Sequence, residues 1–171
     1  MHETDGAYQR TLDLRARRYG DAASDLSQGA EVGAFVGCRA GDAIFGFPVS
    51  LVAGFAPLPR FTPIAGLRFV RGLTHLRGDV MALVDIFEAV TGRAARIGHW
   101  MLVLEGRGGR VAVPVEEFLA TRVVFEPDLL PAEQTPELMR GITRATRDLW
   151  LLLDAAAVRG FIDAGKTAHR A

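Results

Sequence analysis

The chain holds a single cysteine, two tryptophans and two tyrosines, and neither sign of charge is in excess. Each shortage removes a class of protein. A lone thiol, Cys38, cannot close an internal disulfide, which suits a reducing compartment. Twenty basic residues balance twenty acidic ones, so the basic field that holds nucleic-acid phosphates is missing. No apolar run approaches the roughly 18 residues of a membrane span. The opening residues, MHETDGAYQR, lack the apolar core of a secretory signal. The expectation is a cytoplasmic protein with no nucleic-acid partner and no direct membrane insertion.

Catalytic chemistry is equally scarce. His2, His75, His99 and His169 show no metal-ligand spacing, and Cys38 has no neighbouring Cys or motif His. GRGG at 106–109 lacks the Lys-Ser/Thr of a phosphate cradle and leads into another strand, so it reads as a hairpin. Asp85 and Glu88 stand where a helix begins. A reciprocal capping box accounts for both carboxylates without acid–base work. Arg77-Gly78-Asp79 spells an adhesion triplet, but nothing exports the chain, and the triplet reads as a tight turn. No enzyme, metal or cofactor is expected.

What the sequence does contain is β-texture. With 171 residues, 49% of them apolar, the chain can bury roughly 70% of its unfolded surface. From Val32 onward it consists of short apolar stretches such as VGAFVGC, AIFGF, VMALV, WMLVLEG, RVAVPV and LWLLL. Most are bounded by Gly, Asp, Pro or charge. Their spacing predicts a mainly antiparallel β protein with few helices.

It also contains a repeat. RGLTHLRGDVMALVD (71–85) recurs without a gap as RGITRATRDLWLLLD (140–154). Arg71/Arg140, Gly72/Gly141, Thr74/Thr143, Asp79/Asp148, Leu83/Leu152 and Asp85/Asp154 are identical pairs. In both copies a strand, a turn and an apolar strand lead to an aspartate that can cap a following helix. Thr91-Gly92 is a stop signal for the first of these helices. The repeat predicts two similar small β units, with a boundary placed loosely near residues 92–99. Residues 1–31 read as a peripheral extension, partly helical or disordered, 32–165 as the paired domain and 166–171 as a tail. PDLLPAEQTPE (127–137) is too proline-rich for a strand and reads as a loop.

Surface is what remains for function. Arg77 sits at the tip of a hairpin whose neighbours Leu73, Leu76 and Val80 are apolar, a composition common at interface hot spots. FPVSLVAGF (47–55) is apolar and without charge.

Four segments carry a resemblance: GDAIFGFPVSLVAGF, FVRGLTHLRGDVMALVDIF, GGRVAVPVEEFLATRVV and MRGITRATRDLWLLLD. The second matches F-[IV]-[KR]-G-x-x-x-L-R-G followed by an apolar strand ending V-D. From about Val32 to Phe161 the chain thus resembles the CheW family of chemotaxis adaptors. RFTPIAGLRFVRG and the N-terminal extension are also similar to the CheW-like adaptors of twitching-motility systems. The resemblance implies two packed five-stranded, Src-homology-3-like β-barrels and no catalysis. It implies a scaffold coupling the cytoplasmic tip of a methyl-accepting chemoreceptor to the regulatory domain of a CheA-type histidine kinase, within membrane-associated arrays and CheW-like rings.

The resemblance also assigns residues. Arg77 falls on the L-R-G arginine, flanked by Leu76 and Gly78. Val49 and Val52 fall on a receptor-facing apolar groove, and Gly72 on the glycine of the F-x-[KR]-G stretch. The chain departs from the family pattern in three places. Gly54 stands where many members carry a glutamate, Asp79 replaces an apolar residue or threonine, and Pro48 a usual aspartate. The alternative class is a small β-barrel binding a ligand or nucleic acid. The balanced charge and the scarcity of tyrosine do not favour it.

Overall fold

Strands form where the sequence alternates between two buried faces, and the pairing of those strands yields two sheets. The computed structural model describes residues 29–131, 133–145 and 147–167. The helix anticipated near the N-terminus lies outside them, as does the end of the tail. The first part of the chain forms β1 (Glu31–Ala40), β2 (Ala43–Pro48), β3 (Val52–Pro57), β4 (Thr62–Pro63), β5 (Val70–Leu76), β6 (Asp79–Val84) and helix α1 (Ile86–Thr91). The second forms β7 (Trp100–Gly106), β8 (Gly109–Val115), β9 (Glu117–Phe125), β10 (Leu129–Leu130), β11 (Met139–Ala145), β12 (Asp148–Leu153) and α2 (Ala155–Thr167). Among the described residues no helix is long and apolar enough to cross a membrane.

The first sheet has the order β10-β11-β12-β2-β1-β9, the second β3-β7-β8-β6-β5-β4. Reversing the second places β4, β5, β6, β8, β7 and β3 on β10, β11, β12, β2, β1 and β9, so the two sheets correspond strand by strand. Each contains one parallel pair, β12 with β2 and β6 with β8, in an otherwise antiparallel ladder. Each has six strands instead of the five expected, because the two-residue β4 and β10 add an edge to each sheet.

The correspondence runs along the chain in the order β1 to β6 with α1, then β7 to β12 with α2. The linker at 92–99 lies between these two copies. The sheets, however, are not divided there. β1 and β2 pair with β9–β12, and β7 and β8 pair with β3–β6. Each half of the chain lends its first hairpin to the other half's sheet.

Three cores result. Phe35, Ile44, Val124, Trp150 and Leu152 fill the first sheet, and Met81, Leu83, Met101, Val103 and Ala112 fill the second. Between the sheets lies the largest, built on Phe45, Phe47, Leu51, Leu102, Leu104, Val111, Val113, Val115 and Leu153. Neighbouring residues of one strand thus enter different cores, as Met101 and Leu102 do. Burial on both faces is the reason these strands read as unbroken apolar runs instead of alternating ones.

Both helices follow an aspartate. Asp85 Oδ1 accepts the Glu88 N–H at 2.9 Å, and Asp154 Oδ1 accepts the Ala157 N–H at 2.8 Å. The reciprocal half of the expected capping box is absent at α1. The Asp85 N–H donates instead to the Phe69 carbonyl at 2.7 Å, and the Glu88 carboxylate sits 3.9 Å from Arg71. Gly92, with φ 71°, ends α1 in the left-handed conformation, as its sequence position predicts.

Candidate partner-binding site

The hairpin between β5 and β6 turns on two residues, Arg77 and Gly78, with φ of 54° and 91°. Two positive φ values in a two-residue loop make a type I′ turn, whose twist matches that of the flanking strands. Gly78 adopts this at no steric cost, whereas Arg77 carries a Cβ into a region that disfavours it. Asp79 is not part of the turn. It opens β6 opposite Leu76, and its carboxylate lies 3.9 Å from Arg110 on β8, an exposed pair of little energetic weight.

Alternation along the hairpin separates the residues around Arg77. Leu76 points inward and packs on the second sheet's core, together with Ala53 and Ala56 of β3. Leu73 and Val80 point outward, 40% and 70% exposed. The register sets Leu73 beside Ala82 and His75 beside Val80, so an apolar strip runs up the outer face toward the Arg77 tip.

Gly72 lies further down β5 and is buried. A Cβ there would collide with the Thr62 carbonyl oxygen on β4. Its place in the pattern is explained by the close approach of two backbones, and it braces the hairpin from within.

Val49 and Val52 sit where the chain crosses from one sheet to the other. Val49 begins the 3-10 turn Val49–Leu51 that links β2 to β3 and is 39% exposed. Val52 opens β3 and packs half-buried on the central core. Nearby on β3, Gly54 faces open space. The Phe55 ring stacks at 4.4 Å on Phe118 of β9, which Trp100 meets edge-on at 6.2 Å. Since β3 and β9 are the edge strands of opposite sheets, these aromatics form the seam between them. The seam was not anticipated. Phe55 and Phe118 lie outside the repeated stretches 71–85 and 140–154, and only the sheet order relates their strands.

A second unanticipated feature supports the hairpin from its base. β5 bulges between Val70 and Gly72, which turns Arg71 toward Asp85. Asp85 is 1% exposed and takes Arg71 Nε at 3.0 Å and Nη2 at 2.6 Å on Oδ2. The same oxygen accepts the Ala95 N–H at 3.3 Å, tying down the linker after α1. A buried carboxylate is tolerated only when its lone pairs are satisfied in this way.

Cys38 plays no part in the site. It is fully buried, and desolvation pushes its thiol up to about 12, so it stays protonated and unreactive at neutral pH.

This architecture can be set against known proteins. No curated protein matches the chain by sequence. A crystal structure of the scaffolding protein TtCheW from Thermoanaerobacter tengcongensis superposes with a TM-score of 0.61 at 16% identity. The match covers 72% of this chain and 84% of that one and shows a shared fold. The family model of the CheW-like domain matches residues 34–160, which span both sheets, the Arg77 hairpin and the seam. The chain belongs to the CheW-like domain family.

Proposed function

We propose that the protein is a non-catalytic adaptor that couples the cytoplasmic tip of a methyl-accepting chemoreceptor to the regulatory domain of a CheA-type histidine kinase. The observation that carries this reading is the Arg77 hairpin. A cationic fork is displayed on a strained turn, beside outward Leu73 and Val80, on a strand rooted in the core through Leu76. Rigid display of an arginine next to apolar surface lowers the entropy lost on docking. Membership of the CheW-like family supports the same reading.

The receptor's helical hairpin would lay an apolar ridge against Val49 and Val52, with Arg77 and Gly78 forming the signalling contact and Leu76 anchoring their strand from within. An interface of about 1,200 Å² or less suits exchangeable signalling, and repetition in an array turns modest contacts into stable assembly. Gly72 contributes by holding the hairpin in place. In this reading the adaptor works in the cytoplasm and reaches the membrane only through the receptor.

The test is co-sedimentation with receptor-containing membranes and kinase. Arg77→Ala is expected to keep the fold and lose assembly and kinase control. Undiminished assembly and control in that variant would remove Arg77 from the site.

A further inference from the structure

β5 carries the Arg77 hairpin, and strained backbone brackets it at both ends. Phe69 (φ 63°) immediately precedes the strand and Arg77 (φ 54°) immediately follows it. Among the described residues no other non-glycine residue has a positive φ. Arg77 belongs to the docking site. Phe69 lies outside it, and a bulky side chain in the left-handed region calls for a cause.

The local setting is a turn. The Val70 N–H donates to the Leu67 carbonyl at 3.4 Å, with Arg68 and Phe69 between them. Of these two only Phe69 has a positive φ, which makes the turn type II. Phe69 therefore occupies the place that normally takes glycine or asparagine. The second half makes the same turn differently. LRFVRG (67–72) stands in the repeat register with PELMRG (136–141). There the Met139 N–H donates to the Pro136 carbonyl at 2.8 Å, yet neither Glu137 nor Leu138 has a positive φ, as in a type I turn. Both turns then hold a helix-capping aspartate. The Phe69 carbonyl accepts the Asp85 N–H at 2.7 Å, and the Leu138 carbonyl accepts the Asp154 N–H at 2.9 Å. That bond does not demand the left-handed backbone.

The side chains account for the difference. Leu138 is buried. The Phe69 ring instead meets α2, its centroid 5.5 Å from that of Phe161, a residue that packs on the central core. The Arg68 guanidinium lies over the Phe69 ring at 4.5 Å. Two ring contacts thus offset the backbone cost.

We infer that Phe69 and Phe161 are positioning residues for the Arg77 hairpin: their contact holds the Leu67–Val70 turn in its type II form, and the turn sets the start of β5. Phe69 adjoins the bulge between Val70 and Gly72 that turns Arg71 toward Asp85. A return to the type I form of the second half would flip the Arg68–Phe69 peptide and reset that bulge. α2 thereby reaches the docking tip through the strand that carries Arg77. This role rests on the adaptor reading of Arg77.

Full-length variants at position 69 test it. Glycine holds a positive φ without a ring, whereas alanine loses the ring and keeps the Cβ penalty. Phe69→Gly is expected to keep the native amide shifts at Val70, Arg71 and Gly78 and to co-sediment with receptor and kinase undiminished. Phe69→Ala should move those amides and weaken docking about tenfold. Phe161→Ala should behave as Phe69→Ala does, and adding Phe69→Gly should restore it. Should Phe161→Ala unfold, the two variants at position 69 decide. Equal behaviour of Phe69→Gly and Phe69→Ala would mean that the ring only fills space, and would overturn the inference. So would native amide shifts in Phe161→Ala, or undiminished docking of Phe69→Ala where Arg77→Ala abolishes it. If Arg77→Ala docks normally, the adaptor reading has failed, and the amide shifts alone decide the pair.

Discussion

Arg71 and Arg140 occupy the same bulge in the two sheets, yet only one closes on its aspartate. Arg71 Nη2 lies 2.6 Å from Asp85 Oδ2, whereas Arg140 Nη1 stays 3.9 Å from Asp154. Asp85 is 1% exposed and also holds the linker, while the Asp154 side chain is 30% exposed and caps α2. Removing the two carboxylates should therefore have unequal effects. Asp85→Ala takes from a partly buried guanidinium its closest acceptor, leaves the Ala95 N–H unmet and removes the α1 cap, and should cost about 3 kcal/mol. Asp154→Ala loses a helix cap and should cost about 1 kcal/mol. Urea unfolding of the two variants measures the difference.

The Arg77 backbone stores a second imbalance. An arginine at φ 54° in a type I′ turn is replaced at no loss of turn geometry by asparagine, which tolerates this region. Arg77→Asn should raise stability by up to about 1 kcal/mol while weakening co-sedimentation with receptor and kinase. A more stable but poorly docking variant is the pattern of a residue kept for function at the expense of the fold. Thermal melts and sedimentation on one preparation test both halves of this expectation.

Two glycines of the candidate region should respond oppositely. Gly72→Ala drives a methyl into the Thr62 carbonyl and should cost on the order of 2 kcal/mol by displacing β4. Gly54→Ala meets open space and should be neutral, or stabilise by up to about 1 kcal/mol through reduced freedom of the unfolded chain. Denaturant midpoints of the pair decide it.

Cys38 supplies a pH dependence. Its folded pKa is raised from the ordinary value of 9.0 to about 12 because burial disfavours the thiolate. The unfolded thiol therefore loses its proton first as pH rises. The contribution is fully present below the unfolded pKa and is lost on going up through the interval between 9.0 and about 12. Stability measured from pH 8 upward should fall more steeply for the native protein than for Cys38→Ala. Thiol reagents at pH 8 should label Cys38 only after denaturant is added.

The β class and the repeat were legible because both are local. Apolar stretches of strand length, bounded by glycine and charge, mark β6, β7, β8 and β12 correctly, and the two Asp-initiated helices follow from capping. The lending of hairpins was not legible. The parallel pairs β2–β12 and β6–β8 join distant segments, and burial on both faces erases the alternation that would tell which face meets which core. Asp85 was read as a cap, which it is. Its bond to Arg71 escaped because a bulge between Val70 and Gly72 decides where that side chain points. Arg77 and Gly78 were read as turn residues and are. Leu76, grouped with Leu73 and Val80, faces inward because strand parity puts it on the other side. The two-residue strands β4 and β10 carry too little pattern to be seen at all.

The borrowed hairpins bear on how such a chain can transmit load. Two bodies joined by a tether would let one swivel while the other stays put, and a pull on either would be spent in the tether. Here β1 and β2 lie in one sheet while the strand that follows them lies in the other, and β7 and β8 are crossed in the opposite sense. Prising the two halves of the chain apart would require stripping the β1–β9, β2–β12, β3–β7 and β6–β8 ladders of backbone bonds. Whatever grips one end of the molecule therefore turns the far end with it, as a strut does and a hinge does not.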